Sequence, residues 1–212
     1  MVYRIETVLQ DVRIAIDENK TSEQLITDED VDTLSLNEIA RSKIEEAARR
    51  VESVAPAQFL EEGHNFGEAV FWDDNGSGWT LLPDDFMRLV AFRMSDWERT
   101  CYSAISADDP LYDLQSSRHK GIRGNVQKPV CALVNRAEGK ALEFYSCNST
   151  DAYVKRATYI PYPKIDDEDG IDISERCYTA VVYTTAALVL TAYGANDRAE
   201  QLNSLAKSIL EL

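Results

Sequence analysis

Apolar residues recur at helical spacing near both ends of the chain and alternate at strand spacing between them. Ile5, Val8, Leu9, Val12 and Ile16 predict a helix over Val2 to Asp17. A second helix starts at Ser35, where Glu38 completes a capping box. Its inner stripe is Leu36, Ile39, Ala40, Ile44, Ala47, Ala48 and Val51, and Pro56 stops it. The run from Cys177 to Ala195 carries no charge and is apolar on every side, so it predicts a helix buried all round. Asp172 with Glu175, and Asp197 with Glu200, offer capping boxes for this helix and the next. Gly194 suits the left-handed turn between them. Leu202, Leu205, Ala206, Ile209 and Leu210 make the last helix amphipathic.

The middle of the chain reads as strands. Ala69 to Trp72 and Gly78 to Leu82 flank Asn75-Gly76, the pair favoured in a type I′ hairpin turn. Phe86 to Phe92 and Trp97 to Ile105 are read as strands, and residues 111–126 as irregular. Pro129 to Asn135 pairs antiparallel with Ala141 to Cys147 across Glu138-Gly139, and Asp151 to Ile160 is a further strand. The expectation is an α+β fold in which N- and C-terminal helices form a bundle and an antiparallel β-sheet is inserted between them. The expected boundaries are 1–62 for the N-terminal helices, 63–165 for the sheet region and 166–212 for a C-terminal hairpin packed on the first helices.

Charge changes this picture more than composition does. The chain has 212 residues and a formal net charge of −15. So acidic a balance argues against general nucleic-acid binding, which needs a basic surface to neutralise phosphates. The uncharged C-terminal run is about long enough to span a bilayer, at ~20 residues. Its threonines and tyrosines make it too polar for that, so no membrane partner is expected. No basic start followed by an apolar run suggests secretion. Cys101, Cys131, Cys147 and Cys177 are widely spaced in apolar stretches and are read as reduced, buried thiols.

Reactive constellations are sparse. His64 and His119 sit in no ligand pattern, and the cysteines lack the paired spacing of a zinc site. Asn75-Gly76-Ser77-Gly78 lacks the lysine and helix of a phosphate loop. Asp84-Asp85 and Asp166 to Asp169 are read as solvated carboxylates. Arg88, Arg93, Asp96, His119 and Tyr145 would serve a small enzyme only if the fold collected them. Trp72, Trp79 and Trp97 would serve a peptide- or glycan-binding module only if they formed a platform. No cofactor or metal is expected, and the chain is read as a non-enzyme.

One segregation stands out. No acidic residue lies between Leu114 and Ala137, whereas Arg118, Lys120, Arg123, Lys128 and Arg136 do. Arg118, Lys120, Arg123 and Lys128 are the candidate docking residues, on an arm whose glycines and polar residues predict mobility. The expected acceptor is an acidic surface, including that of another copy of the chain. An ordinary solvated basic loop is the alternative.

The organisation from about Ser35 onward resembles the head-to-tail connector, or ring, proteins of tailed bacteriophages, of the type found in Bacteroides-infecting crAss-like podoviruses. The resemblance rests on Leu82-Pro83-Asp84-Asp85-Phe86-Met87-Arg88-Leu89 entering a sheet and on Trp97-Glu98-Arg99. It continues in the Gln115-to-Val130 loop ending in Lys128-Pro129-Val130, in Tyr159-Ile160-Pro161-Tyr162-Pro163, and in the alanine-rich C-terminal helix pair. It implies a homo-oligomeric ring in the virion, usually twelvefold, assembled in the host cytoplasm and stacked below the portal. Its partners would be the portal and neighbouring tail or neck proteins, with genome DNA passing through the channel without sequence-specific binding. It brings no catalytic residue.

Overall fold

The computed structural model describes residues 1–18, 35–60, 63–73, 76–119, 121–145 and 147–211. The fold is α+β. In chain order it runs β1 (Val2–Arg4), α1 (Ile5–Glu18), α2 (Leu36–Val54), a 3-10 turn (Ala57–Phe59), β2 (His64–Asn65), β3 (Phe71–Trp72), β4 (Gly78–Leu81) and β5 (Phe86–Met94). It continues with β6 (Ile105–Ser106), α3 (Pro110–Leu114), β7 (Cys131–Arg136), β8 (Gly139–Phe144), β9 (Val154–Pro161), β10 (Gly170–Asp172), α4 (Glu175–Ala192) and α5 (Asn196–Leu210). Two compact units result: Met1–Glu61 with Pro163–Leu212, and Glu62–Tyr162.

In the first unit α4 packs against α1, α2 and α5. Its buried residues include Ala180, Val181, Ala186, Ala187, Val189 and Leu190, and each large side chain contributes about 1.5–3 kcal/mol. Ile5, Val8 and Val12 of α1 and Ile44, Ala47 and Ala48 of α2 belong to the same core. Small residues predominate on the facing surfaces, which lets the helices approach closely. Thr185 and Thr191 are accommodated because their hydroxyls donate to Val181 O and Ala187 O one turn back, each at 2.8 Å. Gly194 takes φ 78°. The N–H groups of Gly194 and Ala195 then return to Thr191 O and Leu190 O at 3.0 and 2.9 Å, which closes the helix in a Schellman turn. The Ser35–Glu38 capping box forms, with Ser35 N–H donating to Glu38 Oε2 at 2.8 Å and Glu38 N–H to Ser35 Oγ at 3.3 Å. Those bonds hold the exposed Glu38 carboxyl below its ordinary pKa.

The second unit has two sheets that share one core. The order is β2-β9-β5 in one and β3-β4-β8-β7-β6 in the other. Phe92 and Leu89 from the first meet Leu142, Phe144 and Cys131 from the second, with Trp97 fully buried among them. The Phe92 and Phe144 rings lie 5.6 Å apart, and Trp97 stands edge-on to both.

Several expectations are corrected. The inserted region is not one antiparallel sheet but two, and β6 pairs parallel with β7. A further ribbon, β1 with β10, lies in the first unit. Asp172 therefore sits in a strand and does not cap α4. Ser174 occupies the cap position instead, its N–H donating to the buried Glu52 Oε1 at 2.9 Å and its hydroxyl to Phe59 O. Ala195, not Asp197, precedes α5, and no side chain caps that helix. Trp97 to Ile105 is mostly loop, because the chain turns at Ser95-Asp96 and the Arg93 guanidinium folds back onto Trp97 O at 3.2 and 3.0 Å. Within the segment read as irregular, Asp109 and Pro110 start the short helix α3. Asn75 lies outside the described residues. The described residues on either side are joined by Asp73 N–H to Ser77 O at 2.9 Å.

Leu190 in α4 is 1% exposed, whereas Leu188 is only partly buried. Leu190→Ala should cost about 2–5 kcal/mol, measured as a shift in urea midpoint. Leu188→Ala should cost clearly less.

Candidate functional site

The basic segment is held by polar side chains together with Val126 and Val130, which pack against the hydrophobic clusters. Asp109 Oδ1 accepts Leu111 N–H at 2.8 Å and starts α3. Tyr112 turns inward from that helix, its hydroxyl donating to Glu143 Oε2 at 3.1 Å. Gln115 follows and is buried. Its Nε2 donates to Leu111 O and its Oε1 accepts Gly124 N–H, both at 2.8 Å, so one side chain clamps the loop shut across nine residues. Ile122 N–H donates to His119 O at 2.9 Å within the clamp. Beyond it, Asn125 Oδ1 accepts the N–H groups of Gln127 and Lys128, each at 3.0 Å. Val126 O accepts Glu98 N–H at 2.9 Å, and Cys101 Sγ–H donates to Pro129 O at 3.1 Å.

Hydrogen bonds thus close the segment onto α3 and its neighbours, where the sequence predicts an open arm. Gly124 is present for closeness rather than freedom, since a Cβ there would stand 2.9 Å from Val130 Cβ. The candidate docking residues divide. Arg118 and Lys128 are exposed. Arg123 is 8% exposed, because the chain turns back on itself after His119 to meet Gln115; its side chain is not displayed. Lys120 lies outside the described residues. The same stretch of sequence exposes three large apolar side chains that sequence reading missed. Leu111 is 53%, Leu114 42% and Ile122 54% exposed. Spacing alone gives no signal of this exposure, because Leu111 shares a helix face with the buried Gln115 four residues on.

The other candidates are absorbed into structure. Arg93 is spent on Trp97 O, and Asp96 Oδ2 accepts Asn148 N–H at 2.6 Å. The Tyr145 hydroxyl donates to Glu143 Oε2 at 2.8 Å, and the Arg136 guanidinium reaches Glu143 Oε1 at 2.6 Å. Burial and the Glu143 carboxylate together push the Tyr145 phenol far above its ordinary pKa. Trp79 lies between the Phe71 ring at 4.2 Å and the Arg136 guanidinium at 4.6 Å. Trp72 meets Phe144 edge-on and Trp97 is core, so the three tryptophans do not form a platform. Asp166 Oδ1 accepts the N–H groups of Glu168 and Gly170, and Asp169, at φ 58°, pairs with Arg41. That acidic run is therefore turn chemistry. Among the described residues no group of three or more His, Cys, Asp or Glu side chains is placed to hold a metal, and no helix is long and apolar enough to cross a membrane. All four cysteines are free and buried.

Two of the sequence phrases behind the resemblance meet in space. Phe86 pairs with Pro161 and Leu89 with Tyr159. Asp85 binds the same strand twice, its Oδ1 accepting the Tyr159 hydroxyl at 2.8 Å and its carbonyl accepting Tyr162 N–H at 2.7 Å. No protein-family model and no curated protein matches the chain.

Tyr159 is pushed up to about 12 by burial and then by Asp85, and Cys147 to about 12 by burial and then by Asp96. Both groups are held neutral in the folded state, so the folded chain keeps protons that the unfolded chain releases as pH rises from 9–10 toward 12. Their contribution to stability is complete below the unfolded pKa and is lost across that window. Urea midpoints taken with reductant present should therefore fall between pH 9 and 12, and Cys147→Ala should flatten that alkaline fall.

Proposed function

We propose that this chain is a structural component of a tailed-phage head-to-tail connector. It forms a homo-oligomeric ring beside the portal, encloses the path of the genome and links capsid to tail. It acts by assembly in the virion, with no cofactor and no chemistry of its own. Its partners are further copies of itself, the portal and the adjoining neck or tail proteins. DNA passes without sequence-specific contact, because a chain of net charge −15 repels phosphate.

The observation that carries this reading is the corner made by Leu82 to Leu89 and Tyr159 to Pro163. Two of the phrases that resemble the connector family are joined there through Asp85, Tyr159 and Tyr162. Two more, Trp97-Glu98-Arg99 and the Gln115-to-Val130 loop, are joined by Glu98 N–H and Val126 O. The shared phrases are thus structural joints of one unit, as a scaffold built for assembly requires. The ordered display of Arg118 and Lys128 on an otherwise acidic chain supports the same reading.

The test is assembly. Negative-stain imaging of the purified protein mixed with the portal from the same genome should show rings, or a layer added to the portal. A monodisperse monomer that binds neither portal nor any other virion protein would overturn the proposal.

A further inference from the structure

We propose that α3 and the loop that follows it form a basic and apolar pad that docks on the acidic surface of a second copy of this chain, head to tail. The inference rests on the reading of the chain as a self-assembling component and names the surface that reading needs.

Two independent observations fall on the same segment. Leu111, Leu114 and Ile122 are each at least two-fifths exposed within twelve residues. Arg118 and Lys128 are exposed in the same stretch of sequence; the loop from Gln115 to Arg136 has no carboxylate of its own, and the exposed carboxylate within α3 is Asp113. Large apolar side chains in open water beside unpaired charge are costly to keep unless something covers them. Aliphatic anchors with a basic rim fit a partner surface that offers carboxylates around an apolar centre.

The frame is pre-organised. Gln115 spends both ends of its amide on closing the loop, Asn125 closes the turn before Lys128, and Gly124 abuts Val130. Little loop ordering is left to be lost on docking, so more of the contact energy appears as affinity.

Charge names the occupant. All 37 acidic residues of the chain lie outside the segment from Leu114 to Ala137. A second copy therefore offers an acidic surface at matched concentration wherever the pad does not face it. Charge also fixes the symmetry. Two basic pads repel one another, so pad cannot meet pad across a two-fold axis. The contact joins unlike patches, and a contact between unlike patches repeats until it closes as a ring or extends as a filament. Like any surface charge pairing it weakens as salt shortens the Debye length, while the leucines and isoleucine supply a part that salt does not remove.

The test uses the full chain and two variants, Arg118→Glu/Lys128→Glu and Leu111→Ser/Ile122→Ser, each checked for an unchanged circular dichroism spectrum. Sedimentation velocity at low salt should show self-association of the parent, and about tenfold or greater weakening in the charge-reversed variant. The apolar variant should be weakened at low salt and at about 1 M salt alike. The charge-reversed variant keeps its acceptor surface, so a small proportion of it mixed into the parent should cap the growing assembly and reduce its mean mass. A parent that stays monomeric overturns the second-copy occupant. Variants that associate like the parent overturn the pad, while assembly on the portal would still stand. A simple dimer that the variant does not cap overturns the head-to-tail geometry. Duplex DNA bound by the parent and lost on charge reversal would make nucleic acid the occupant instead.

Discussion

The uncharged run from Cys177 makes α4 the hub of the first unit, yet it is not buried all round as its sequence predicts: Thr179, Thr191 and Ala192 are exposed and Tyr183 and Leu188 are half-buried, so the other elements cover it on most sides only. α5 folds back along α4 through the left-handed turn at Gly194. α1 and α2 bring Val8, Val12, Ile44 and Ala47 to the same core. The polar atoms that such burial strands are dealt with locally. Thr185 and Thr191 bond within their own helix, and Tyr178 donates to Asp11 Oδ2 at 2.5 Å while stacking on Tyr3. Glu52 is buried because its carboxylate supplies the acceptor for Ser174 N–H at the start of α4. Removing Glu52 would leave that donor without an acceptor, a loss of about 1–3 kcal/mol in a buried setting.

The second unit is organised around an aromatic core and a single carboxylate. Glu143 gathers Arg136, Tyr112 and Tyr145 on one face of the five-stranded sheet. Each partner comes from a different element, so the carboxylate ties α3 and the segment beyond β8 to the hairpin of β7 and β8. That bond is also what fixes which way α3 faces. Tyr112 is drawn inward, while Leu111 and Leu114 are left exposed.

Much of the helical half was legible because helices declare themselves over short distances. The Ser35–Glu38 box, the α2 stripe and the Gly194 turn all depend on residues within four positions of each other. Failures came where a distant partner decides the outcome. Asp172 resembles a cap until Val2 is known to pair with it. Trp97 to Ile105 has strand-like composition, but Arg93 and the buried Trp97 indole hold it as a loop. The basic segment was found by charge alone. Its closure was not, because the clamp consists of one glutamine whose role depends on an amide nine residues away. The exposure of Leu111, Leu114 and Ile122, and the burial of Arg123, have no local signature.

The division of the chain has a consequence for its synthesis. The second unit is continuous and can fold as soon as Tyr162 has left the ribosome. The first is completed only when α4 emerges, after the entire second unit has been translated. Until then α1 and α2 carry Ile5, Val8, Val12, Ile44 and Val51 with no core to join. At ~5–20 residues per second that interval lasts several seconds or more, long compared with helix formation and collapse. Nascent chains are thus at their most adhesive early in translation, and polysome crowding would penalise them for it. An acidic chain is well suited to that interval, because like charge keeps neighbouring nascent chains apart while their apolar stripes wait to be covered.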